Sequence, residues 1–75
     1  MWTEVELREI RVFLTLTEEL HFGRTAERLD ITPSYASQLI RALEARVGGR
    51  LFDRSSRRVI PTPLAEQLKT RVAAP

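Results

Sequence analysis

One stretch of this sequence, residues 33–47, places short hydrogen-bonding side chains along a single face of a predicted helix. At about 100° of rotation per residue, that face carries Ser34, Ser37, Gln38, Arg41 and Ala45, with Tyr35 and Glu44 at its flanks. Hydroxyl, amide and guanidinium groups suit the base edges of a DNA major groove, where Gln pairs with adenine and Arg with guanine. The pattern predicts a DNA recognition helix.

The opposite face of this helix carries the apolar stripe that would hold it against a core, namely Ala36, Leu39, Ile40, Leu43 and Val47. Thr32 is a good N-cap, and Pro33 at the first helical position lacks an N–H that would have no partner there. Gly48 and Gly49 are typical of a helix end. On this stretch alone, an ordinary amphipathic helix with a solvated polar face explains the pattern equally well.

Composition narrows the class of protein. The 75 residues correspond to one small domain, and the absence of cysteine together with a single histidine excludes disulfides and the usual structural zinc site. We expect no cofactor.

The sequence also bears on localisation. No apolar run is long enough to span a membrane, and the acidic N-terminus is unlike a signal peptide. A cytoplasmic protein is therefore expected.

Charge is unevenly distributed along the chain, although the net charge is only +2. Residues 1–20 carry five Glu and two Arg, whereas residues 31–75 carry eight basic and three acidic side chains. A basic second half attracts a phosphate backbone. The clustering of arginines around the predicted recognition helix weakens the alternative of a merely solvated charge run.

Two further helices are predicted before the recognition helix. The first begins at Thr3, with Glu6 completing a capping box, and its apolar stripe is expected at Leu7, Ile10, Phe13, Leu14 and Thr17. A short second helix is predicted over residues 25–29, with Gly23 as its N-cap or a loop residue. Only about three residues connect it to the third helix, which predicts a steep crossing of helix-turn-helix type.

A basic hairpin and a fourth helix are predicted after the recognition helix. Residues 50–54 and 57–60 read as two short strands, and the turn between them carries Arg54, Arg57 and Arg58. An arginine in such a wing can enter a narrow minor groove. Thr62 and Pro63 begin the fourth helix, whose stripe of Leu64, Leu68 and Val72 suggests pairing with a second copy of the chain.

Competing functions receive less support. His21 has no second histidine, cysteine or carboxylate at helical spacing, and Ser55 and Ser56 have no base near them in sequence, so we predict no enzyme activity. The main alternative is a winged-helix module that binds a partner protein without specific DNA recognition. The carboxylate-poor face of the third helix argues against it.

The chain from about Leu7 to about Ala65 resembles the N-terminal winged helix-turn-helix domain of LysR-type transcriptional regulators. The resemblance is carried by residues 7–13, 21–29 and 37–44, and above all by residues 47–54. This last segment, VGGRLFDR, looks like the family signature Leu-Gly-x-x-Leu-Phe-x-Arg. The chain departs from the family pattern at Pro33, Gln38, Pro61 and Leu64-Ala65.

The resemblance implies a mainly α winged helix-turn-helix fold with a three-helix core, a two-stranded wing and a C-terminal linker helix. It implies a homodimer that recognises double-stranded DNA at an interrupted inverted repeat. Residues 1–61 would form the DNA-binding domain, and residues 62–75 would begin the dimerisation helix. A small-molecule effector is expected only if a C-terminal domain exists in the full-length protein.

The predicted site combines the helix face with the resemblance. Pro33, Ser34, Ser37 and Gln38 would lie in the major groove, Arg24 and Thr25 near phosphates, and Arg54 and Arg57 at the wing. The complete predicted DNA-binding set is Arg24, Thr25, Thr32, Pro33, Ser34, Tyr35, Ser37, Gln38, Arg41, Arg54, Ser55, Arg57 and Arg58. The predicted dimer interface is Leu64, Leu68 and Val72.

Overall fold

Three helices pack around one apolar core in the computed structural model, which describes residues 2–54 and 58–73. They are α1 (Glu4–Glu19), α2 (Phe22–Leu29) and α3 (Pro33–Val47), and each contacts the other two. The side chains of Phe13, Leu16 and Ile40 are fully buried at their meeting point. The mainly α winged helix-turn-helix fold is confirmed.

The start of α1 is the predicted capping box. The Thr3 amide donates to Glu6 Oε1 at 2.9 Å, and the Glu6 amide donates to Thr3 Oγ1 at 3.1 Å. The expected burial of Leu7 is wrong, because its side chain is 53% exposed. Nine residues at 100° each place Leu7 opposite the buried Leu16 on the helix.

The second helix begins three residues earlier than the sequence predicted. His21, not Gly23, is its N-cap, and His21 Nδ1 accepts from the Arg24 amide at 3.0 Å. Gly23 lies inside the helix, where a Cβ would stand 2.8 Å from His21 Cε1. Asp30 ends the helix in the left-handed region at φ 58°, so three residues separate α2 from α3.

The recognition helix has the predicted ends and the predicted buried face. Thr32 Oγ1 accepts from the Tyr35 amide at 3.1 Å, and Pro33 occupies the first helical position. Gly48 terminates α3 with φ 81°, a conformation that glycine adopts without a steric penalty. The buried residues are Ala36, Leu39, Ile40 and Leu43.

The wing is a short antiparallel pair of strands, β1 (Phe52–Asp53) and β2 (Ile60–Pro61), with Phe52 opposite Pro61. These strands are shorter than predicted, and the second includes Pro61. The Phe52 ring anchors the wing, because it is fully buried and its centroid lies 5.9 Å from that of Phe13. The wing therefore has a fixed base on the three-helix core.

The fourth helix, α4 (Pro63–Ala73), follows directly from the wing. Thr62 joins the two, since its amide donates to the Leu51 carbonyl at 3.0 Å and its Oγ1 donates to the Arg50 carbonyl at 2.6 Å. Ala65 is buried, and the half-buried side chains of Leu64, Leu68 and Val72 pack against the core of the same chain. Within the described ranges, no helix has the length and apolarity needed to cross a membrane.

Candidate DNA-binding surface

The outward face of α3 presents the polar side chains that the sequence placed there. Pro33, Ser34, Gln38 and Arg41 are exposed, and Ser37 is half-buried. The exposed Thr32 already uses its hydroxyl oxygen to cap the helix, but its hydroxyl proton can still be donated. The face thus combines donors and acceptors on a rigid, core-supported helix.

The one carboxylate in α3 is held away from this face. The side chain of Glu44 is only 11% exposed, and it accepts from the Leu51 amide at 2.8 Å and from Arg54 Nη2 at 3.5 Å. Glu44 therefore supports the start of the wing. The exposed face of α3 carries no acidic group that would repel a phosphate backbone.

Arg54 follows β1 of the wing, and its side chain is directed toward α2 and α3. Its side chain is 24% exposed, its guanidinium lies 5.2 Å from the centre of the Phe22 ring, and Nη2 donates to Glu44. Its Nε is buried without a hydrogen-bond acceptor among the described residues. The guanidinium therefore joins the wing to α2 and α3 in this structure, and the DNA contact expected of Arg54 stays a prediction.

The side chain of Thr25 lies in the interior of the domain. It is fully buried, and its hydroxyl has no hydrogen-bond partner in the described part of the chain. The Thr25 amide donates to the His21 carbonyl at 3.0 Å. The Thr25 hydroxyl is not at the surface in this structure, and the position of Thr25 near phosphates stays a prediction.

Arg24 remains at the surface, with its side chain 61% exposed. Its Nε donates to Glu19 Oε1 at 3.4 Å and its Nη2 to the Glu19 carbonyl at 3.2 Å. Arg58 in the wing is exposed as well. Two other predicted residues of the wing, Ser55 and Arg57, lie outside the described residues.

Tyr35 is attached to α1 at the edge of the recognition face. Its hydroxyl accepts from Arg8 Nη1 at 3.3 Å, and Arg8 Nη2 lies 3.4 Å from Glu4 Oε1. The hydrogen bond and electrostatic interaction with Tyr35 raise the pKa of the Arg8 guanidinium most, and the charge of Glu4 adds a smaller contribution. Tyr35 is half-buried, so its outward edge remains accessible.

Two residues that shape this surface were not predicted from the sequence, namely Arg8 and Glu19. Arg8 could have been noticed from its i,i+4 spacing to Glu4, which is a common ion-pair signal within a helix. Glu19 offers no such local signal, because its partners lie on α2 after the chain has turned back. Among the described residues, no group of three or more His, Asp or Glu side chains could hold a metal ion.

The fold and the surface together define a winged helix-turn-helix domain. The family model for bacterial regulatory helix-turn-helix proteins of the lysR family matches residues 7–66. The chain therefore belongs to the lysR family of bacterial regulatory helix-turn-helix proteins. Its relatives are transcriptional regulators, which favours DNA binding over a protein-interaction module.

Individual relatives agree with this assignment. The uncharacterized HTH-type transcriptional regulator YnfL of Escherichia coli K12 is 48% identical over 63 residues, which is 84% of this chain and 21% of YnfL. The OxyR C206S mutant of Corynebacterium glutamicum superposes with a TM-score of 0.86 at 37% identity, covering 97% of this chain and 24% of OxyR. The chain thus spans about a fifth of the length of its curated relatives.

A structure with DNA is also similar. The BenM DNA-binding domain in complex with catB site 1 DNA has a TM-score of 0.73 and 35% identity, over 91% of this chain and 83% of that one. The likeness covers nearly the whole of both domains. This structure adds to the comparison a DNA-binding domain in complex with DNA.

Proposed function

We propose that this chain recognises a specific double-stranded DNA sequence by placing the exposed face of α3 in the major groove. The observation that carries the proposal is the composition of that face, where Ser34, Gln38 and Arg41 are exposed and the only acid of the helix, Glu44, is withdrawn into a hydrogen-bonded position. Amide and guanidinium groups discriminate base pairs there. The match to a DNA-bound domain supports the same placement.

The proposed roles follow from length and chemistry. Gln38 is suited to adenine and Arg41 to guanine, whereas the short side chains of Ser34 and Ser37 can contact either base or the backbone. Pro33 would lie in the major groove with them, and Thr32 and Tyr35 would lie at its entrance. Arg24 and the wing residues Ser55, Arg57 and Arg58 would contact the backbone, with the wing near the minor groove.

We further propose a homodimer on an interrupted inverted repeat, with residues 1–61 as the recognition domain and α4 as the start of the dimerisation helix. The stripe of Leu64, Leu68 and Val72 is only half-buried by the chain's own core, which leaves apolar surface for a partner helix. Two-fold symmetry of a dimer matches two-fold symmetry of a DNA site.

The chain spans about a fifth of the length of its curated relatives. A small-molecule effector is proposed only if the full-length protein has a C-terminal domain. We propose no enzyme activity for the chain itself. Because its proposed target is DNA, we propose that the protein acts at the nucleoid, in the cytoplasm of a prokaryotic cell.

The test is selection from a random duplex library at two salt concentrations, followed by sequencing of the bound DNA. An enriched motif establishes sequence recognition. Gln38→Ala should then cost about 1–3 kcal/mol at one base position. The exposed Gln67 of α4 provides a matched control, and Gln67→Ala should leave the preferred base at every position of the motif unchanged.

Three outcomes separate the hypotheses. An inverted repeat supports both recognition and assembly, whereas a single half-site supports recognition without a dimer. Weak binding that vanishes in salt, with no motif, would overturn the proposal and favour the protein-interaction alternative. Sedimentation of the free chain over a range of concentrations tests the dimer independently, since a strictly monomeric species would contradict pairing through α4.

A further inference from the structure

The corner between α1 and α2 holds an alternating cluster of two carboxylates and two guanidiniums. Arg24 Nε lies 3.4 Å from Glu19 Oε1, and Arg28 Nη1 lies 3.2 Å from Glu19 Oε2. Arg28 Nη1 also donates to Glu18 Oε1 at 2.7 Å. Both oxygens of Glu19 are therefore used, one by each arginine.

Glu19 holds Arg24 through its backbone as well as its side chain. Leu20 adopts φ 52°, which ends α1 and turns the chain so that α2 runs back beside the end of the first helix. In this position the Glu19 carbonyl accepts from Arg24 Nη2 at 3.2 Å. The Nε and Nη2 groups of Arg24 thus both donate to Glu19, leaving Nη1 as the nitrogen directed to neither of these oxygens.

This cluster borders the wing. A groove of about 460 Å³ between the α1–α2 corner and β2 is lined by Glu19, Arg24 and Arg58, with Leu20, Val59 and Ile60 supplying apolar surface. A phosphate backbone that passes between α2 and the wing would meet both arginines there. It would also meet the Glu19 carboxylate, which carries the same sign of charge as the phosphate.

We propose that Glu19 competes with DNA phosphate for Arg24 and so limits the affinity of this domain for every duplex. This inference rests on the proposed DNA-binding function. A phosphate that binds the Nε–H and Nη2–H edge of Arg24 must replace the two Glu19 oxygens that now accept from these groups. The exchange offsets part of the gain from the phosphate contact, and Glu19 therefore weakens binding without affecting the choice of base.

The size of the effect follows from the exposure of the pair. Arg24 is 61% and Glu19 27% exposed, and exposed ion pairs are worth only about 0.2–1 kcal/mol. Releasing Arg24 should therefore tighten DNA binding by about 1.4- to 5-fold, since 1.4 kcal/mol is a factor of ten. A fully available Arg24 should also steepen the salt dependence, by up to about 0.9 in the slope of log affinity against log salt.

The experiment compares Glu19→Gln with Glu18→Gln in the same chain, using fluorescence anisotropy on a duplex at several salt concentrations. Both variants remove one negative charge from this corner, but only Glu19 contacts Arg24. We expect Glu19→Gln to tighten binding more than Glu18→Gln, with a steeper salt slope. Thermal unfolding of each variant verifies that the domain remains folded.

Arg24→Ala completes a double-mutant cycle. In the Arg24→Ala background, Glu19→Gln should tighten binding no more than Glu18→Gln does, because the contested guanidinium is gone. Equal effects of the two Gln variants in the original chain, or weaker binding by Glu19→Gln, would overturn the inference; the latter would mean that Glu19 orients Arg24 toward phosphate. If the original chain binds no duplex, the proposed function itself fails, so the two failures are distinct.

Discussion

Arg46 Nε of α3 donates to Glu9 Oε1 of α1 at 2.8 Å, and the Glu9 side chain is only 1% exposed. The hydrogen bond and charge of Glu9, with a smaller contribution from Glu6 at 3.9 Å, raise the pKa of the Arg46 guanidinium. The C-terminal half of the recognition helix is thereby attached to the first helix. A second link, from Arg8 to Tyr35, attaches its N-terminal half.

Arg46→Ala should destabilise the domain more than an ordinary surface substitution does, because it leaves the buried carboxylate of Glu9 without its guanidinium partner. Urea unfolding followed by circular dichroism measures the change. Arg11→Ala is the matched control, since Arg11 is exposed on α1 and makes no ion pair within the described residues. A loss confined to about 0.5 kcal/mol in both variants would contradict a structural role for the Arg46–Glu9 pair.

Arg54→Ala should lower stability by about 1–2 kcal/mol through loss of the Glu44 hydrogen bond and the contact with the Phe22 ring. Arg54→Lys should lose less, because it keeps a cation near the ring. Since Arg54 is directed inward, its removal should leave the salt slope of DNA binding unchanged. Arg58→Ala is the comparison, and we expect it to reduce that slope by about 0.9. A reduced salt slope for Arg54→Ala would show that Arg54 contacts a phosphate.

Substitution of Gly48 or Gly49 by alanine should destabilise the domain, for a different reason at each position. Gly48→Ala places a side chain at φ 81° with open space around it, so the cost is backbone strain of about 1–2 kcal/mol. At Gly49 the added Cβ would stand 2.8 Å from Leu64 Cδ2 of α4. Thermal unfolding should show that Leu64→Ala reduces the destabilisation caused by Gly49→Ala but not the destabilisation caused by Gly48→Ala. Equal relief of both would contradict this assignment.

Glu6 should make the stability of α1 depend on pH. Hydrogen bonds from the Thr3 backbone and side chain lower the pKa of the Glu6 carboxyl in the folded state. A lowered folded-state pKa adds stability above the unfolded value of about 4.3, and this stability is lost as the pH falls through the folded value.

Glu6→Gln should therefore lower the melting temperature at neutral pH, and the difference from the original chain should shrink as the pH falls below about 4.3. Melting curves recorded across this range provide the measurement. The exposed Glu27 serves as the control, since its side chain has no partner within the described residues. A difference for Glu6→Gln that stays constant with pH would show that the carboxylate charge is not responsible.

Local sequence determined the recognition helix. Thr32 and Pro33 begin it, Gly48 ends it, and the spacing of Ala36, Leu39, Ile40 and Leu43 sets its buried face. Each of these signals acts within one or two turns of the chain, through a cap, a preferred φ value or the helical period. The family signature in residues 47–54 likewise indicated the wing and its place after α3.

Only the tertiary structure decided which polar residues of the predicted site face outward. Arg54 meets Glu44 and Phe22, Thr25 is enclosed in the core, and Arg24 is held by Glu19, although all three had been expected at the DNA. These positions depend on how α1, α2, α3 and the wing pack together. The type of a residue determines which hydrogen bonds and ion pairs its side chain can form. A contact between two elements also depends on how those elements are placed relative to each other, and the local sequence of neither element gives that placement.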